Sequence, residues 1–347
     1  MKKIFACILA ALTVSAMLAS CGNNTVKDTN DTNDNNNAVT DNSGSDNTSD
    51  EIKVGVIQYV SHPSLDNCYA GVEAALNASD KNIKIDRQIG SDAAADSDCG
   101  TYAANMVSQK YDMIVAIATP AALSSAAATD GTDIPVIFCA VNDPVVAELV
   151  ESMEKPGYAC TGTSDVLDLE AQVNLIQSMQ PDVKKIGILY TTSEANSISN
   201  LERFKKICAD RDIEVVATGI QNDADIPAAA TALASQVDCI NNFTDNKVVN
   251  NLTVVLDAAN DAGIPVYGSE VEQVKNGCLA AVSIDYVALG KVTGEMALDV
   301  LDGEDPAEMA VRTITDATPV VNTEVLEALG MTMPESYENA ETVTTNK

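Results

Sequence analysis

Short apolar runs alternate with amphipathic ones along most of the chain, starting at Ile52. The run IKVGVIQYV (52–60) has the β-branched character of a buried strand, and PSLDNCYAGVEAALNAS (63–79) has helical spacing. The alternation continues through the strand-like runs YDMIVAIA (111–118) and IPVIFCAV (134–141), with an Ala-rich helical run between them. Continuous apolar strands separated by helices are typical of a parallel sheet covered on both faces, so the pattern predicts an α/β fold.

This pattern then restarts in the second half of the chain. The segment KKIGILYTTSEANS (184–197) has the same order of strand, polar loop and helix as KVGVIQYVSHPSL (53–65). In both halves a later strand opens with Asp and leads through a helix to the tripeptide Ile-Pro-Val. We therefore predict two Rossmann-like parallel-sheet lobes, whose carboxyl-terminal strand ends lie on either side of one cleft.

Several crossings of the chain between the lobes are expected. If the helix VALGKVTGEMALDVLDG (287–303) packs back on the first lobe, the chain crosses near Gly162, Asp285 and Thr318. Such extended crossings form a hinge that allows the lobes to close. The predicted boundaries are 52–162 plus about 285–317 for lobe 1, 163–284 plus about 318–336 for lobe 2, and 337–347 for a C-terminal tail.

The N-terminus reads as an export signal. Two lysines precede a short apolar run and small residues, as in a secretory signal peptide, and the run is shorter than the ~20 residues of a membrane-spanning helix. The sequence LASC (18–21) resembles the lipobox of bacterial lipoproteins, in which cleavage leaves the cysteine as the lipid-bearing N-terminus; an ordinary signal with a chance cysteine is the alternative. We predict a signal peptide at 1–20 and a lipid anchor, of the palmitate type, on Cys21. The Asn/Asp-rich stretch to residue 50 has too few apolar residues to fold and is predicted to be a disordered tether.

The charge of the chain limits its partners. The formal net charge of −31 becomes −33 once Lys2 and Lys3 leave with the predicted signal. Phosphate binding needs clustered Lys and Arg, so the charge excludes nucleic acid as a partner. Such acidity fits a solvated, extracytoplasmic surface.

Nine cysteines are many for an exported protein. Seven remain after the signal cysteine and Cys21 are subtracted, and an odd number cannot all pair within one chain. No CxxC or CxxH spacing indicates zinc, and we predict neither a metal nor a cofactor. We interpret the seven mostly as structural thiols, and a Cys68–Cys99 or Cys139–Cys160 pair stays open.

The loops that follow the predicted strands contain most of the polar candidates. Nearly every loop has Ser, Thr or Asp at the start of a helix, which leaves backbone N–H groups and the positive dipole end facing the cleft. A carboxylate fits such a place, although a single cap is more often structural. Six of the thirteen aromatic residues (nine Tyr and four Phe) lie at or near cleft-facing strand ends or crossings, which favours a partly apolar ligand, although strand ends are also the rim of a core. The candidate ligand-binding residues are Tyr59, His62, Ser64, Thr119, Pro120, Asn142, Asp143, Ser193, Glu194, Ala195, Asn196, Phe243, Thr244, Asp245, Asn246, Ser269, Asp285 and Tyr286.

No catalytic set accompanies His62, the only histidine. It precedes Pro63 at a predicted helix start, where it either contacts a ligand or is a structural loop residue. GxSxG, HExxH and Walker-type motifs are absent from the sequence. We therefore predict a binding protein and not an enzyme; an exported enzyme would need a nucleophile–base pair.

Several segments resemble an ABC-transporter substrate-binding lipoprotein family that includes tryptophan- and tyrosine-associated members. They are SHPSLDNCYAGVEAAL, IATPAALSSA, IPVIFCAVNDPVVAELV, GTSD, ILYTTSEANS, FTDNKVV and SIDYVALGKVTGEMALDVLDG. The resemblance extends from Ile52 to about Ser336 and implies a type I periplasmic-binding-protein fold. It also implies capture of a small solute, an aromatic or apolar amino acid, by a lipid-anchored extracytoplasmic protein that delivers it to a membrane permease driven by an ATPase. A lipid-anchored sensor that signals through the same closure is the alternative.

The resemblance leads to hypotheses about individual roles. The ligand carboxylate would bind donors from Thr119 and the segment Ser193–Asn196, and Asp245 or Asp285 would receive the ammonium group, because a buried charge needs a partner. The residues expected to enclose the ligand side chain are Tyr59, His62, Phe243 and Tyr286. The chain departs from the family pattern at Phe243, whose bulk would reshape the pocket.

Overall fold

The computed structural model describes residues 51–314 and 316–346, all within one compact unit, Thr48–Lys347. The predicted signal peptide, Cys21 and the tether lie outside the described residues. The described strands are β1 (Ile52–Gln58), β2 (Ile83–Ile89), β3 (Met113–Ile117), β4 (Val136–Cys139), β5 (Cys160–Ser164), β6 (Lys185–Thr191), β7 (Glu214–Ile220), β8 (Cys239–Asn241), β9 (Val266–Tyr267), β10 (Ala280–Ser283), β11 (Arg312–Thr313), β12 (Thr318–Asn322) and β13 (Glu341–Val343). The described α-helices are α1 (Pro63–Asn77), α2 (Ala95–Ser108), α3 (Thr119–Thr129), α4 (Leu169–Met179), α5 (Ala195–Ala209), α6 (Ile226–Ala234), α7 (Asn246–Asn250), α8 (Leu252–Ala262), α9 (Val271–Lys275), α10 (Tyr286–Leu301) and α11 (Thr323–Ala328).

A six-stranded sheet in the order β11-β5-β4-β3-β1-β2 forms the first lobe, and all its pairings are parallel. Val54 on β1 is opposite Ile85 on β2 and Met113 on β3. All five residues of β3 are buried, because helices cover both faces of a parallel sheet. This arrangement brings the carboxyl ends of β1, β3 and β4 to one edge, where α1 and α3 begin.

The second lobe contains the parallel sheet β7-β6-β8-β9 and a smaller sheet, β10-β12-β13. The two sheets join where Leu279 N–H donates to the Val266 carbonyl (2.7 Å) and Gly268 N–H donates to the Ala280 carbonyl (2.9 Å). The residues 337–347, which we expected to be a tail, contribute β13, and this strand pairs in parallel with β12.

Helix α10 returns to the first lobe and packs on α1. Glycines make this approach close: a Cβ atom at Gly290 would lie 2.0 Å from the Cys68 carbonyl oxygen, and one at Gly71 would lie 2.2 Å from the Val287 carbonyl oxygen. The first crossing follows Ser164, because β5 pairs with β4 in the first sheet. We therefore propose that lobe 1 comprises 52–164 with 285–314, and lobe 2 comprises 165–284 with 316–346.

All seven cysteines in the described residues are buried free thiols. The Cys68–Cys99 and Cys139–Cys160 pairs are therefore not formed, and the thiols pack as small apolar groups in the cores. In the same part of the chain, no helix has both the length and the apolar character needed to cross a membrane.

Candidate functional site

A cavity lies between the two lobes at the carboxyl ends of their strands; we call it the central cavity. The space between its atoms, including the part that is open to solvent, is about 370 Å³. Its lining residues are His62, Ser64, Leu65, Ala118, Thr119, Ala140, Asn142, Asp165, Asn196, Thr244, Asn246, Val249, Glu270, Gln273 and Tyr286.

Two uncapped helix N-termini from lobe 1 face this cavity. Neither His62 at the start of α1 nor Ala118 at the start of α3 provides a side-chain cap. The Ser64 hydroxyl in the first turn of α1 is buried and lies close enough to the Glu270 carboxyl to lower the pKa of that group. Backbone N–H groups and the positive dipole ends together favour an anionic group, such as a carboxylate, at this side of the cavity.

The lobe 1 wall also contains strained backbone. Ala118 has a φ of 81° and Ala140 has a φ of 56°. Residues other than glycine rarely adopt a backbone conformation with positive φ. Both residues end strands of the sheet and line the cavity. Strain of this kind costs about 1–3 kcal/mol for each residue and concentrates at functional sites.

Asp165, on the first crossing, is a buried carboxylate in the cavity wall. The Asn142 amide donates to its Oδ1 at 2.6 Å, and the Tyr286 hydroxyl donates to its Oδ2 at 3.0 Å. Burial raises the pKa of Asp165 to about 6, against the effect of these hydrogen bonds. At neutral pH the carboxyl group is therefore ionised, and its buried charge costs the folded protein free energy. A ligand cation would stabilise this charge.

Two further carboxyl groups lie on the lobe 2 side. Burial, helped by the charge of Asp245, raises the pKa of Glu194 to about 8, although the Asn246 and Asn196 side chains donate to it. Burial raises the pKa of Glu270 to about 7, even though the carboxylate caps α9. At pH 7 Glu194 is therefore mostly protonated, and it does not line the cavity, whereas Glu270 lines it and is partly ionised, which suits a cationic group on this side.

Unpartnered polar atoms also point to a ligand. Buried side-chain atoms without a hydrogen-bond partner occur at several places in the described residues, and those in the cavity lining include His62 Nδ1, Asn196 Oδ1 and Gln273 Oε1. Buried polar groups are normally hydrogen-bonded, so several orphans at one place indicate a polar ligand. Burial also lowers the pKa of His62 to about 4, so its imidazole is neutral at pH 7.

Direct hydrogen bonds join the two lobes around the cavity. Asn200 donates to Asn142 Oδ1 (2.7 Å), and Ser199 donates to Asp143 Oδ2 (2.9 Å). The His62 Nε2 atom lies 3.3 Å from Asn246 Oδ1. These contacts show a closed arrangement of the lobes.

Eight of the candidate residues line the central cavity: His62, Ser64, Thr119, Asn142, Asn196, Thr244, Asn246 and Tyr286. Asp143 and Glu194 support the lining through the hydrogen bonds described above. The others do not line it: Tyr59, Pro120, Ser193, Ala195, Phe243, Asp245, Ser269 and Asp285.

Neither of the two expected partners of the ammonium group lines the central cavity. Asp245 is buried, and its oxygens accept from Thr191 (backbone N–H 2.6 Å and hydroxyl 2.8 Å), Ser197 (2.7 Å) and Val248 N–H (3.1 Å). It is occupied in holding β6, α5 and α7 together. Asp285 is exposed and caps α10.

Two of the aromatic residues that we expected to enclose the ligand also lie outside the cavity lining. Phe243 is fully buried in the lobe 2 core, where it packs edge-to-face on Phe204 with ring centroids 5.5 Å apart. Tyr59 is buried too, and its hydroxyl donates to Asp96 (3.0 Å). The aromatic faces at the cavity are those of His62 and Tyr286.

Sequence reasoning missed Asp165, Glu270 and Gln273 as lining residues. Asp165 directly follows a strand, and Glu270 directly follows the candidate Ser269, so an acidic residue at a strand end or crossing was the available signal. Within the described residues, no group of three or more His, Cys, Asp or Glu side chains is placed to hold a metal ion.

Comparisons with known proteins agree with this geometry. A family model described as ABC transporter substrate binding protein matches residues 53–343. The chain is 37% identical over 339 residues to a tyrosine-binding protein of Clostridioides difficile (strain R20291), covering 95% of this chain and 93% of that protein.

Two solved structures allow the arrangement of the lobes to be compared. An ABC domain in complex with L-Trp from Streptococcus pneumoniae has a TM-score of 0.80 and 35% identity, covering 84% of this chain and 100% of that one. A ligand-free, open structure of a substrate-binding protein with adhesive properties from Clostridium difficile has a TM-score of 0.64 and 36% identity, covering 85% and 100%. At nearly equal identity the chain is more similar in shape to the L-Trp complex, in agreement with its closed lobes.

Proposed function

Because this chain belongs to the ABC transporter substrate-binding protein family and has the type I periplasmic-binding-protein fold, we propose that it captures an aromatic L-amino acid in the central cavity. It then delivers the solute to a membrane permease driven by a separate ATPase. The observation that carries the proposal is a cavity with an uncapped helix-end side and a carboxylate side, matching the two charges of an amino acid. The similarity to a tyrosine-binding protein and to an L-Trp complex supports the aromatic class.

The two charged groups of the ligand have different partners in this proposal. The ligand carboxylate binds the N-termini of α1 and α3, with the hydroxyls of Ser64 and Thr119 nearby. The ammonium group binds Asp165 on the first crossing, and Glu270, which is partly ionised at pH 7, adds negative charge from lobe 2. No Lys or Arg lines the cavity, so within the described residues the carboxylate depends on backbone N–H groups and hydroxyls.

Closure follows from the division of these partners between lobes. The carboxylate subsite belongs to lobe 1, and Glu270, Asn196 and Gln273 belong to lobe 2. A ligand that enters the open cleft binds one lobe first, and the second lobe then buries it. The Asn200–Asn142 and Ser199–Asp143 hydrogen bonds hold the closed form.

The place of action is outside the cytoplasm, as for the family. We propose that a lipid on Cys21 anchors the protein to the membrane and that residues 22–50 act as a tether between the anchor and the lobes. Mass spectrometry of the protein from cells, compared with a Cys21→Ser variant, tests the anchor: the variant should lose the lipid mass and leave the membrane fraction.

Isothermal titration with L-Tyr, L-Trp, L-Phe, L-Ser and glucose tests the ligand class. Aromatic amino acids should bind and the other two should not, and a ligand at ~100 times its Kd should stabilise the fold by ~2.7 kcal/mol. L-tyrosinamide, which lacks the carboxylate, and N-acetyl-L-tyrosine, which lacks the ammonium, should both bind much more weakly. Binding of glucose alone would contradict the proposal, and equal binding of tyrosinamide would contradict the carboxylate subsite.

A further inference from the structure

A second pocket lies among the chain segments that connect the lobes; we call it the hinge pocket. It is lined by Asp165–Asp168 after β5, by Val282 and Ile284 around the end of β10, by Ile314 after β11, and by Arg203 from α5. The space between its atoms, including the part that is open to solvent, is about 770 Å³. The hinge pocket therefore has room for a small organic molecule.

Arg203 gives this pocket a cation without an anionic partner. The other three arginines form ion pairs: Arg87 with Asp66, Arg211 with Glu170 and Arg312 with Asp299. No carboxylate in the described part of the chain lies within ion-pair distance of the Arg203 guanidinium, although the protein has 51 acidic residues.

The Arg203 guanidinium is nevertheless held in place. Its Nη2 donates to the Leu167 carbonyl (3.0 Å) and its Nη1 to Asn200 Oδ1 (3.3 Å). A guanidinium has five N–H donors in a planar fork, so these two bonds orient the group and leave capacity for a carboxylate.

An apolar wall accompanies the cation. Val166 is 43% exposed, and Ile284 and Ile314 are half-buried. All three line the hinge pocket. A ligand with a short hydrocarbon chain would cover this surface and remove it from water.

The acidic residues of the pocket restrict the anion. Both oxygens of Asp165 accept hydrogen bonds, from Asn142 and Tyr286, and Asp168 is exposed and caps α4. Their charges would repel a multiply charged anion such as phosphate more strongly than a monoanion. The chemistry therefore favours one carboxylate on an apolar tail.

We propose that the hinge pocket is a second small-molecule site, which binds a short aliphatic monocarboxylate with its carboxylate on Arg203 and its chain on Val166, Ile284 and Ile314. Asp165 and Tyr286 line both this pocket and the central cavity, so an occupant of the hinge pocket is coupled to solute binding. In this proposal the occupant binds the closed arrangement more tightly than the open one, so it favours closure and raises the affinity for the solute.

Methyl NMR of the full chain with labelled isoleucines tests the site directly, with hexanoate as the probe. Hexanoate should shift the Ile284 and Ile314 signals, identified from Ile284→Val and Ile314→Val, and leave exposed Ile198 unchanged. Hexanamide, which lacks the charge, and phosphate, which lacks the chain, should produce no such shifts. Equal shifts with hexanamide, or none with hexanoate, would overturn the proposal.

Variants of Arg203 decide whether the guanidinium carries the binding. Arg203→Gln should weaken hexanoate binding at least about tenfold, since a hydrogen bond to a charged group contributes that much, whereas Arg203→Lys should retain part of it. Arg211→Gln, which changes an ion-paired arginine on the same lobe, should have no effect. Wild-type hexanoate binding in a folded Arg203→Gln protein would refute the assignment. These measurements need no amino-acid ligand, so they test the hinge pocket whether or not the proposed solute is correct.

The coupling is tested by measuring solute affinity with and without hexanoate. Tighter solute binding with hexanoate present would support the coupling, and looser or unchanged binding would refute it.

Discussion

Replacing Asp165 by Asn should make the ligand-free protein more stable and the amino-acid complex weaker. The pKa of about 6 lies about two pH units above the ordinary 3.8, and each pH unit corresponds to about 1.4 kcal/mol. The ionised carboxylate therefore costs the folded protein about 3 kcal/mol at pH 7, and Asp165→Asn should recover up to that amount. Asparagine keeps the shape and can still accept from the Asn142 amide, so the local network survives.

The pH dependence follows from the sign of this shift. The folded state binds the Asp165 proton more tightly than the unfolded state, so the cost is fully present above pH 6 and disappears as the pH falls towards 4. The affinity for an amino acid has the opposite trend, because the ammonium group needs the ionised carboxylate. Wild-type affinity should therefore decrease as the pH falls through about 6, and the Asp165→Asn protein should lack this step.

Urea unfolding and isothermal titration with L-Tyr and L-Trp, each between pH 5 and 8, measure the two effects. Removing the anionic partner of a buried ammonium should weaken binding about a hundredfold or more. Asp168→Asn is the matched control, because Asp168 is exposed and asparagine also caps a helix; it should change neither quantity. Wild-type affinity in Asp165→Asn would refute the ammonium assignment, and a loss of stability at pH 7 would refute the cost of the buried charge.

Three further substitutions test other parts of the site. Asp245→Ala should destabilise the protein by about 3 kcal/mol or more, because four buried donors lose their acceptor. If the free energy of unfolding, measured with urea, changes by less than about 1 kcal/mol, the structural role of Asp245 is contradicted. Phe243→Leu should lower the melting temperature by removing the contact with the Phe204 ring. Solute affinity should stay within about twofold in titration, since Phe243 does not line the cavity. A tenfold loss of solute affinity would place the Phe243 ring at the ligand. Ala118→Gly should raise stability by about 1 kcal/mol, because glycine relieves the strain of the positive φ. The control Ala127→Gly, at an exposed position of α3, should lower stability by about 1 kcal/mol. Equal losses of stability in the two variants would show that Ala118 is unstrained.

The alternation of strands and helices could be predicted because burial leaves a local signature. Strands such as β3, buried on both faces, appear as continuous apolar runs, and the repeat of that pattern predicted two lobes. The family and the α/β fold inferred from the sequence are confirmed. Strand β13, Glu341–Val343, escaped prediction because it is short, partly polar and at a sheet edge, where pairing with a distant strand decides its conformation.

The loops of the site were easier to predict than the residues within them. Parallel strands bring their carboxyl ends together, so the loops holding Thr119, Asn196 and Asn246 had to converge. Which side chain of a loop faces the cavity depends on tertiary packing that no local pattern encodes. Asp245 has the sequence features of a ligand-binding cap, but its oxygens are used by β6, α5 and α7.

The central cavity concentrates features that destabilise the closed protein. Asp165 and Glu270 line it and have pKa values raised by burial, and Ala118 in the same lining is strained. Opening the cleft would return water to the carboxyl groups that lie between the lobes, and their pKa values would then fall towards ordinary values. A zwitterionic ligand can instead stabilise the closed form, because its ammonium group pairs with the carboxylates and its carboxylate binds the uncapped helix ends. The buried charges therefore destabilise the closed form without a ligand and make closure depend on an amino acid. A delivery protein needs this difference between its loaded and unloaded forms.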